Sequence, residues 1–514
     1  MNHLLSLLIF LPLVGGLVLL ALSRKFAGVV KPAALGLALL NLLLAALVGF
    51  RFQPQAGFQM EEKLAWIPKM GIEYHLAIDG ISLFLVLLIP IFIVIALCMA
   101  QFSKNAYPPA FFALLLCFEA GLLGTTLALN LFLFYLFWEL MLIPAFFLIG
   151  LWGGPKRKQA VLKFVIYTMA GSLVFLLSIL FLGVQFYSKT GEWSFALPQL
   201  YQMRMGMGPV ASLLFVGFAL AFLIKVPLFP LHTWLPDTYS EAPTVVTFLL
   251  SGLMAKMGIY GLLRITIPLF PQLLERWAPL LSLLAIAGIV YGAIAALGQT
   301  DLKRLIAYSS LSHMSLLVLG VFTWNQASLQ GTLYHMINHA VATGALFLLV
   351  SLIEEHYGTT EIAELGGLAK ETPLFASLFL LMTFASIGVP GLNGFVGEFL
   401  ILLGVTTQMP LLGLGAGLTL ILSAAYMLWL TQRLLFGPLK SPVAEPLKLC
   451  RYRQIVLAPL VLAVVLMGLY TQPVFERTTP SVRQYLQMLH QPQQVSQPTA
   501  LSDTLPASEA SVHG

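Results

Sequence analysis

Four ionisable residues stand inside apolar runs: Glu139, Lys225, Lys256 and Glu398. Charge at bilayer depth is costly, so such residues face a bundle interior and mark ion or proton paths. A buried carboxyl without a partner takes up a proton and turns neutral, so a charged Glu139 needs a cation. Lys225 is the candidate. A buried ammonium can release its proton, whereas a guanidinium stays charged. Burial works against the charged lysine and a nearby glutamate works for it. Moving Glu139 slightly away would then free a proton from Lys225. The structural alternative is an ion pair that only joins two helices.

Lys256 lies in Ser251-Gly-Leu-Met-Ala-Lys-Met-Gly-Ile-Tyr260. Small residues at 251, 252, 255 and 258 allow close helix approach, which points the lysine into a bundle. Glu398 follows Pro390 and three glycines, Gly391, Gly394 and Gly397. The alternative for Glu398 is a protonated cap on a broken helix end. His232, His313, His335 and His339 lie in or beside the same runs. Imidazole titrates near neutral pH, which suits a proton relay. His313 and His339 are the stronger candidates, with His232 and His335 secondary. His335 and His339 share a helix face at i,i+4, but no neighbouring Glu or Cys in the sequence completes a metal set. No metal site is expected. Glu119 either joins the first group of charges or sits neutral in its span. Asp237, Glu241, Lys163, Asp301, Lys303 and Arg304 lie near span ends, where solvated helix termini explain them equally well.

These residues need helices to hold them. A helix takes about 20 apolar residues to cross a bilayer. Spans are expected at 2–22, 31–50, 78–100, 109–128, 131–151, 161–186 and 209–225. The second half continues at 243–268, 277–298, 303–322, 330–353, 373–403, 409–435 and 454–472. The result is an all-α polytopic membrane protein of about fourteen helices. Pro227, Pro230, Pro236 and Pro243 break the seventh span; Pro390 and its glycines break the twelfth. The two breaks are offset by five spans, an odd number, so a five-helix repeat would be inverted in the membrane. Interrupted helices at matching places in two halves point to a transport path. Helices 4–8 and 9–13 are read as the repeats. The segments are then 1–108, 109–268, 277–437, 438–475 (the fourteenth helix) and a polar tail at 476–514, expected to be disordered.

Composition agrees. The 514 residues are 59% hydrophobic and 9% charged, where a soluble domain carries about 25% charged residues. The net charge of +6 is better explained by cytoplasmic loops than by nucleic acid. One set of alternate loops, with Lys156, Arg157, Lys158, Lys303 and Arg304, carries 16 lysines and arginines against 7 in the other. That set is placed in the cytoplasm, with both termini outside. Arg24 and Lys25 follow the first apolar run, which argues for a retained helix and not a cleaved signal. The cysteines Cys98, Cys117 and Cys450 are far apart and form no C-x-x-C, so neither zinc nor an iron–sulfur cluster is expected. Phosphate-binding glycine motifs are absent; Gly413-Leu-Gly-Ala-Gly417 lies within an apolar run.

Five segments together carry a family likeness: FWELMLIP around Glu139, IKVPLFPLHTWLPDTYSEAP from Ile224, the Lys256 helix, QTDLKRLIAYSSLSHMS from Gln299 and GVPGLNGFVGEF ending at Phe399. They resemble the antiporter-like membrane subunits of respiratory complex I, from about the first helix to about residue 475. The resemblance implies two inverted five-helix repeats, a glutamate–lysine pair at Glu139 and Lys225, and a central lysine at Lys256. The exit-side residue is a lysine in the L and N types of this family and a glutamate in the M type, which Glu398 fits. Asn130 departs from the pattern, standing where many relatives carry an acid, as does His335, where at least one carries a glutamine. The resemblance further implies proton translocation from cytoplasm to periplasm across a bacterial inner membrane, driven by quinone reduction elsewhere. NADH, FMN, iron–sulfur clusters and quinone would then belong to partner subunits, with L- and N-type neighbours beside this chain. The same likeness extends to multisubunit Na⁺/H⁺ antiporters and membrane-bound hydrogenase complexes.

Overall fold

In a bilayer the backbone must satisfy its own polar groups, and a long apolar run does so as a helix. The computed structural model describes residues 3–490 apart from 24–25, 105, 204, 437, 439 and 441–446. Arg24, Lys25, Arg204 and the tail from 491 on thus lie outside the described residues. Among those described, twelve helices are long and apolar enough to cross a membrane. Two shorter apolar helices, Pro209–Lys225 and Pro373–Ser386, are first limbs of interrupted spans. Every expected span overlaps a helix.

The helices divide into inner and outer ones. Thr244–Leu269 and Gln326–Tyr357 are buried throughout their apolar windows, and Pro109–Leu127 and Leu302–Val321 nearly so. Leu4–Leu22, Ala27–Arg51 and Arg451–Leu469 leave most of their surface outward. Lys256, His335, His339 and His313 therefore sit on the innermost helices. Close approach of these helices uses small residues. A Cβ on Gly258 would meet Phe222 O at 2.7 Å, and one on Gly397 would meet His335 Cβ at 2.6 Å.

The breaks are built so that freed backbone groups find partners. Pro209–Lys225 ends at the lysine; residues 226–233 turn, with a cis Phe229–Pro230 bond, and Trp234–Glu241 resumes as helix. Trp234 Nε1 donates to the freed Ile224 carbonyl at 3.0 Å. In the second break, Pro373–Ser386 stops and Asn393–Gln408 restarts. Gly388 (φ 72°) and Gly391 (φ 90°) take left-handed turns there, which favour glycine. Asn338 Nδ2 donates to Asn393 O at 2.5 Å. A third interruption goes beyond the sequence reading. The expected span 131–151 is two helices, Leu131–Leu140 and Leu142–Trp152, meeting at Met141. Pro144 lacks an N–H and cannot continue the ladder into the first limb.

The bundle is all-α in class, and one expectation, about its tail, needs correction. The long loop before the third span holds a hairpin: Gln59–Ile67 and Ile72–Ile78 pair antiparallel, with Leu64 opposite Tyr74. In sequence this segment resembles a long loop because charged and apolar residues mix in it. Gly71 (φ 64°) permits its turn. The segment from 476 is also ordered as far as His490, in a helix Gln472–His490. Its polar composition suggests disorder, but its apolar residues fall on one face. Phe475 stacks on Tyr334 at 5.0 Å, and Val482 is buried. Ser481 Oγ accepts from Gly80 N at 3.0 Å.

Candidate functional site

Four helices bring distant residues together. Lys256 is fully buried, and its Nζ lies 2.7 Å from His339 Nδ1. The same Nζ donates to Ser251 O at 2.5 Å. Ser251 belongs to a π-helical turn, Leu250–Met254, and a second π turn covers Leu262–Thr266. Such turns widen the helix and leave carbonyls short of partners; the lysine supplies one.

Beyond His339 the histidines cluster. The His339 and His313 ring centres are 5.8 Å apart, those of His313 and His335 5.7 Å, and those of His335 and His339 6.2 Å. Glu398, fully buried, faces two of them. Its Oε1 lies 3.1 Å from His313 Nδ1 and 3.8 Å from His335 Nε2. Tyr426 OH reaches His313 Nε2 at 3.4 Å and Ser309 Oγ at 2.9 Å. A cavity of about 10 Å³ opens between His313, His335, Asn338 and His339, room for about one water molecule. The expected residues Lys256, His339, His313, His335 and Glu398 therefore form one contiguous cluster. The expectation of no acid beside these histidines is corrected here: Glu398 arrives from a helix distant in the chain, beside His313 and His335, not beside His339.

The first-half pair is arranged differently from the expectation. Lys225 is buried, and its Nζ sits 4.4 Å from the centre of the Trp138 ring. Trp138 Nε1 donates to Ser172 Oγ at 3.1 Å, which fixes the ring. No ion pair joins Lys225 to Glu139 among the described residues. Glu139 lies near enough to act on Lys225 through its field, but its Oε1 has no hydrogen-bond partner. The reason is the helix end: Glu139 sits in the last turn of Leu131–Leu140, and adjacent residues of a helix point to different faces.

Other candidates fall outside the cluster. Glu119 is fully buried and accepts from Asn41 Nδ2 at 2.7 Å. His232 stacks beside Phe229 at 5.5 Å and meets Tyr291 at 4.9 Å. At one end of the bundle a polar cavity of about 790 Å³ is lined by Lys163, Asp237, Lys303, Arg304 and Glu354, among others. Asp237 pairs with Lys163 at 2.8 Å and with Arg304 at 3.0 Å. Lys303, expected at a solvated helix start, is buried and pairs with Glu354 at 2.7 Å. At the opposite end Arg264 pairs with Asp79 at 2.5 Å, both buried.

Sequence reasoning passes over Tyr426, Asn338 and Glu354. A tyrosine in an apolar run reads as core, and Glu354 reads as a helix end. The one usable signal is Asn338, between His335 and His339, since a buried amide needs partners.

The chain is similar to known proteins over most of its length. A family model described as NADH:quinone oxidoreductase/Mrp antiporter, transmembrane, matches residues 128–443. The chain is 38% identical over 509 residues to the NADH-quinone oxidoreductase subunit M of Rhodobacter capsulatus, covering 95% of this chain and 98% of that protein. It is 37% identical over 491 residues to subunit M of Escherichia coli (strain K12), covering 92% and 96%. A chain of the respiratory complex I from Thermus thermophilus with bound NADH superposes with a TM-score of 0.86 at 33% identity, covering 94% of this chain and 99% of that one. A chain of the Mrp complex from Dietzia sp. DQ12-45-1b shares the fold, with a TM-score of 0.83 at 20% identity and coverage of 95% and 99%.

Proposed function

This chain belongs to the NADH:quinone oxidoreductase/Mrp antiporter membrane family, and we propose that within it the chain is the M-type proton-translocating subunit of an NADH–quinone oxidoreductase. It works as a translocase without redox chemistry of its own. NADH, FMN, iron–sulfur clusters and quinone belong to partner subunits, and L- and N-type subunits flank it. It crosses a bacterial inner membrane with both termini on the periplasmic side, because the lysine-rich loops favour the cytoplasm. Residues 109–268 and 277–437 act as two inverted repeats, the first broken after Lys225 and at Met141, the second between Ser386 and Asn393.

The observation that carries the reading is the buried line Lys256–His339–His313–Glu398, closed by direct contacts of 2.7 Å at one end and 3.1 Å at the other, with the His339 and His313 ring centres 5.8 Å apart between them. A proton enters from the cytoplasm, where the cavity lined by Lys163, Asp237, Lys303 and Glu354 collects it, and reaches Lys225. Glu139 tunes the charge of that lysine. Water carries the proton on to Lys256, since no hydrogen bond joins the two lysines among the described residues. The Lys256 ammonium then donates to His339 Nδ1 across 2.7 Å. One water in the small cavity bridges His339 to His313. His313 passes the proton to Glu398 across 3.1 Å, and Glu398 releases it to the periplasm. Quinone reduction in partner subunits drives the cycle through charge or conformation passed along the membrane arm.

A sodium antiporter subunit or a hydrogenase-complex subunit is the alternative. Hard cations are held by oxygen donors, whereas most of this line is nitrogen, which suits a proton. The test uses the purified complex in sealed vesicles. Glu139→Ala and Lys225→Ala should abolish pumping-coupled activity while the complex still assembles. A normal proton-to-electron ratio in both variants would refute the reading.

A further inference from the structure

We propose that His313, His335 and Glu398 form a binding site for a zinc-class divalent cation, and that the bound ion plugs the path beside Lys256. One ligand atom from each residue lies within 4.8 Å of the other two, and all three side chains are buried. The Glu398 Oε1 distances to His313 Nδ1 and His335 Nε2 are 3.1 Å and 3.8 Å. Ligand atoms held about 2.0–2.2 Å from a tetrahedral zinc ion are about 3.3–3.5 Å apart. Small side-chain rotations close the difference.

The contacts also lack the geometry of simple hydrogen bonds. His313 Nδ1, both nitrogens of His335 and both oxygens of Glu398 are buried without a hydrogen-bond partner. Buried polar groups normally have one. One such atom from each of the three residues faces a common point, and together they are a donor set for a cation. Two imidazoles and one carboxylate suit zinc, the set that zinc enzymes use with a water in the fourth position. They do not suit magnesium or calcium, which take oxygen. The cavity lined by His313, His335 and Asn338 has room for about one water.

The platform is rigid. His313, His335 and Glu398 come from three different helices, Leu302–Val321, Gln326–Tyr357 and Asn393–Gln408. Gly397 presses against the His335 backbone, and Gly388 lies against Glu398 Oε2. Ligands held by packed helices keep their geometry. A divalent charge here also opposes a charged Lys256, only one imidazole away. Zinc therefore occupies the last acceptor of the line and repels the cation that feeds it. The plugging effect rests on the relay proposed above; the binding does not.

The experiment uses the intact complex, purified without a polyhistidine tag and incubated with zinc chloride. Cryo-EM should show density about 2.0–2.2 Å from the three ligand atoms, a readout that needs no variant. Radioactive zinc should fall by one ion per complex in His335→Gln. Zinc should slow pumping in vesicles, and the half-inhibitory concentration should rise about tenfold or more in His335→Gln. Absence of the density, with equal zinc counts in both proteins, overturns the site. Displacement of zinc by an equal concentration of magnesium overturns the assigned chemistry. Density with unchanged inhibition in His335→Gln overturns the plugging role. Normal pumping by Glu398→Gln would remove the relay and leave the density untouched, so the two ideas fail separately.

Discussion

Lys256 and His339 lie 83 positions apart in the chain and share one hydrogen bond of 2.7 Å. The lysine Nζ also holds Ser251 O, in the π turn that precedes it. A proton donor and a base are therefore fixed on two helices that are buried throughout. The lysine has two acceptors and no carboxylate in contact among the described residues. An ammonium in that setting is held by dipoles alone, and it can pass its proton to the imidazole. This contact joins the first half of the chain to the second.

Lys256→Arg keeps the positive charge and removes the ability to release a proton. Pumping by the reconstituted complex should fall by about a hundredfold, the scale of losing a positioned proton-transfer group. Native gels should show normal assembly. Wild-type pumping in this variant would show that charge alone, without proton release, is what Lys256 supplies.

Glu398→Gln keeps the shape of the side chain and cannot carry the proton. Glu398 is buried with unpartnered oxygens, and such groups trade stability for function. The thermal midpoint of the complex should stay level or rise, while pumping falls. A drop in both would mean that Glu398 is chiefly a structural partner of His313.

Gly388→Ala tests the turn that seats Glu398. Gly388 has φ 72°, and a Cβ there would stand 2.6 Å from Glu398 Oε2. The left-handed backbone alone costs an alanine about 1–2 kcal/mol, and the carboxyl must also move. Weaker pumping in complexes that still assemble is expected. Thermal stability and proton flux, measured on the same preparation, separate backbone strain from displacement of the carboxyl. Full flux in a destabilised complex would show that the turn supports the fold and not the seating of Glu398.

Asp79→Asn is the structural control. The Asp79–Arg264 pair is buried, and Asp79 Oδ1 also accepts from Ile81 N and Ser82 N. Breaking a buried pair from one side costs about 3–5 kcal/mol. Less assembled complex and a lower unfolding temperature should follow, with normal pumping per assembled complex. Arg264→Met added to Asp79→Asn should restore part of the stability. Lost pumping in the complexes that do assemble would place this pair on the path as well.

The class of protein and most of the residues that matter are legible in the amino-acid order. Long apolar runs leave no fold but membrane helices, because unsatisfied backbone is too costly in lipid. Within those runs a charge is rare enough that Glu139, Lys225, Lys256 and Glu398 stand out one by one. The two breaks at proline and glycine are equally legible, since those residues act on the local backbone. The Met141 break is less so, because Pro144 lies inside a helix that merely restarts. The helix from Gln472 is hidden because its apolar face is sparse, and tertiary contacts such as those with Tyr334, Gln330 and Gly80 order it.

Which residues touch is a matter for the folded bundle. Lys225 rests on Trp138 and not on Glu139, although Glu139 is the next residue to that ring. Glu398 meets His313 and His335, and Lys256 meets His339. Periodicity gives the face of a helix but not the rotation of one helix against another. That rotation depends on where glycines such as Gly258 and Gly397 let backbones close up, and it is set by packing across the whole bundle.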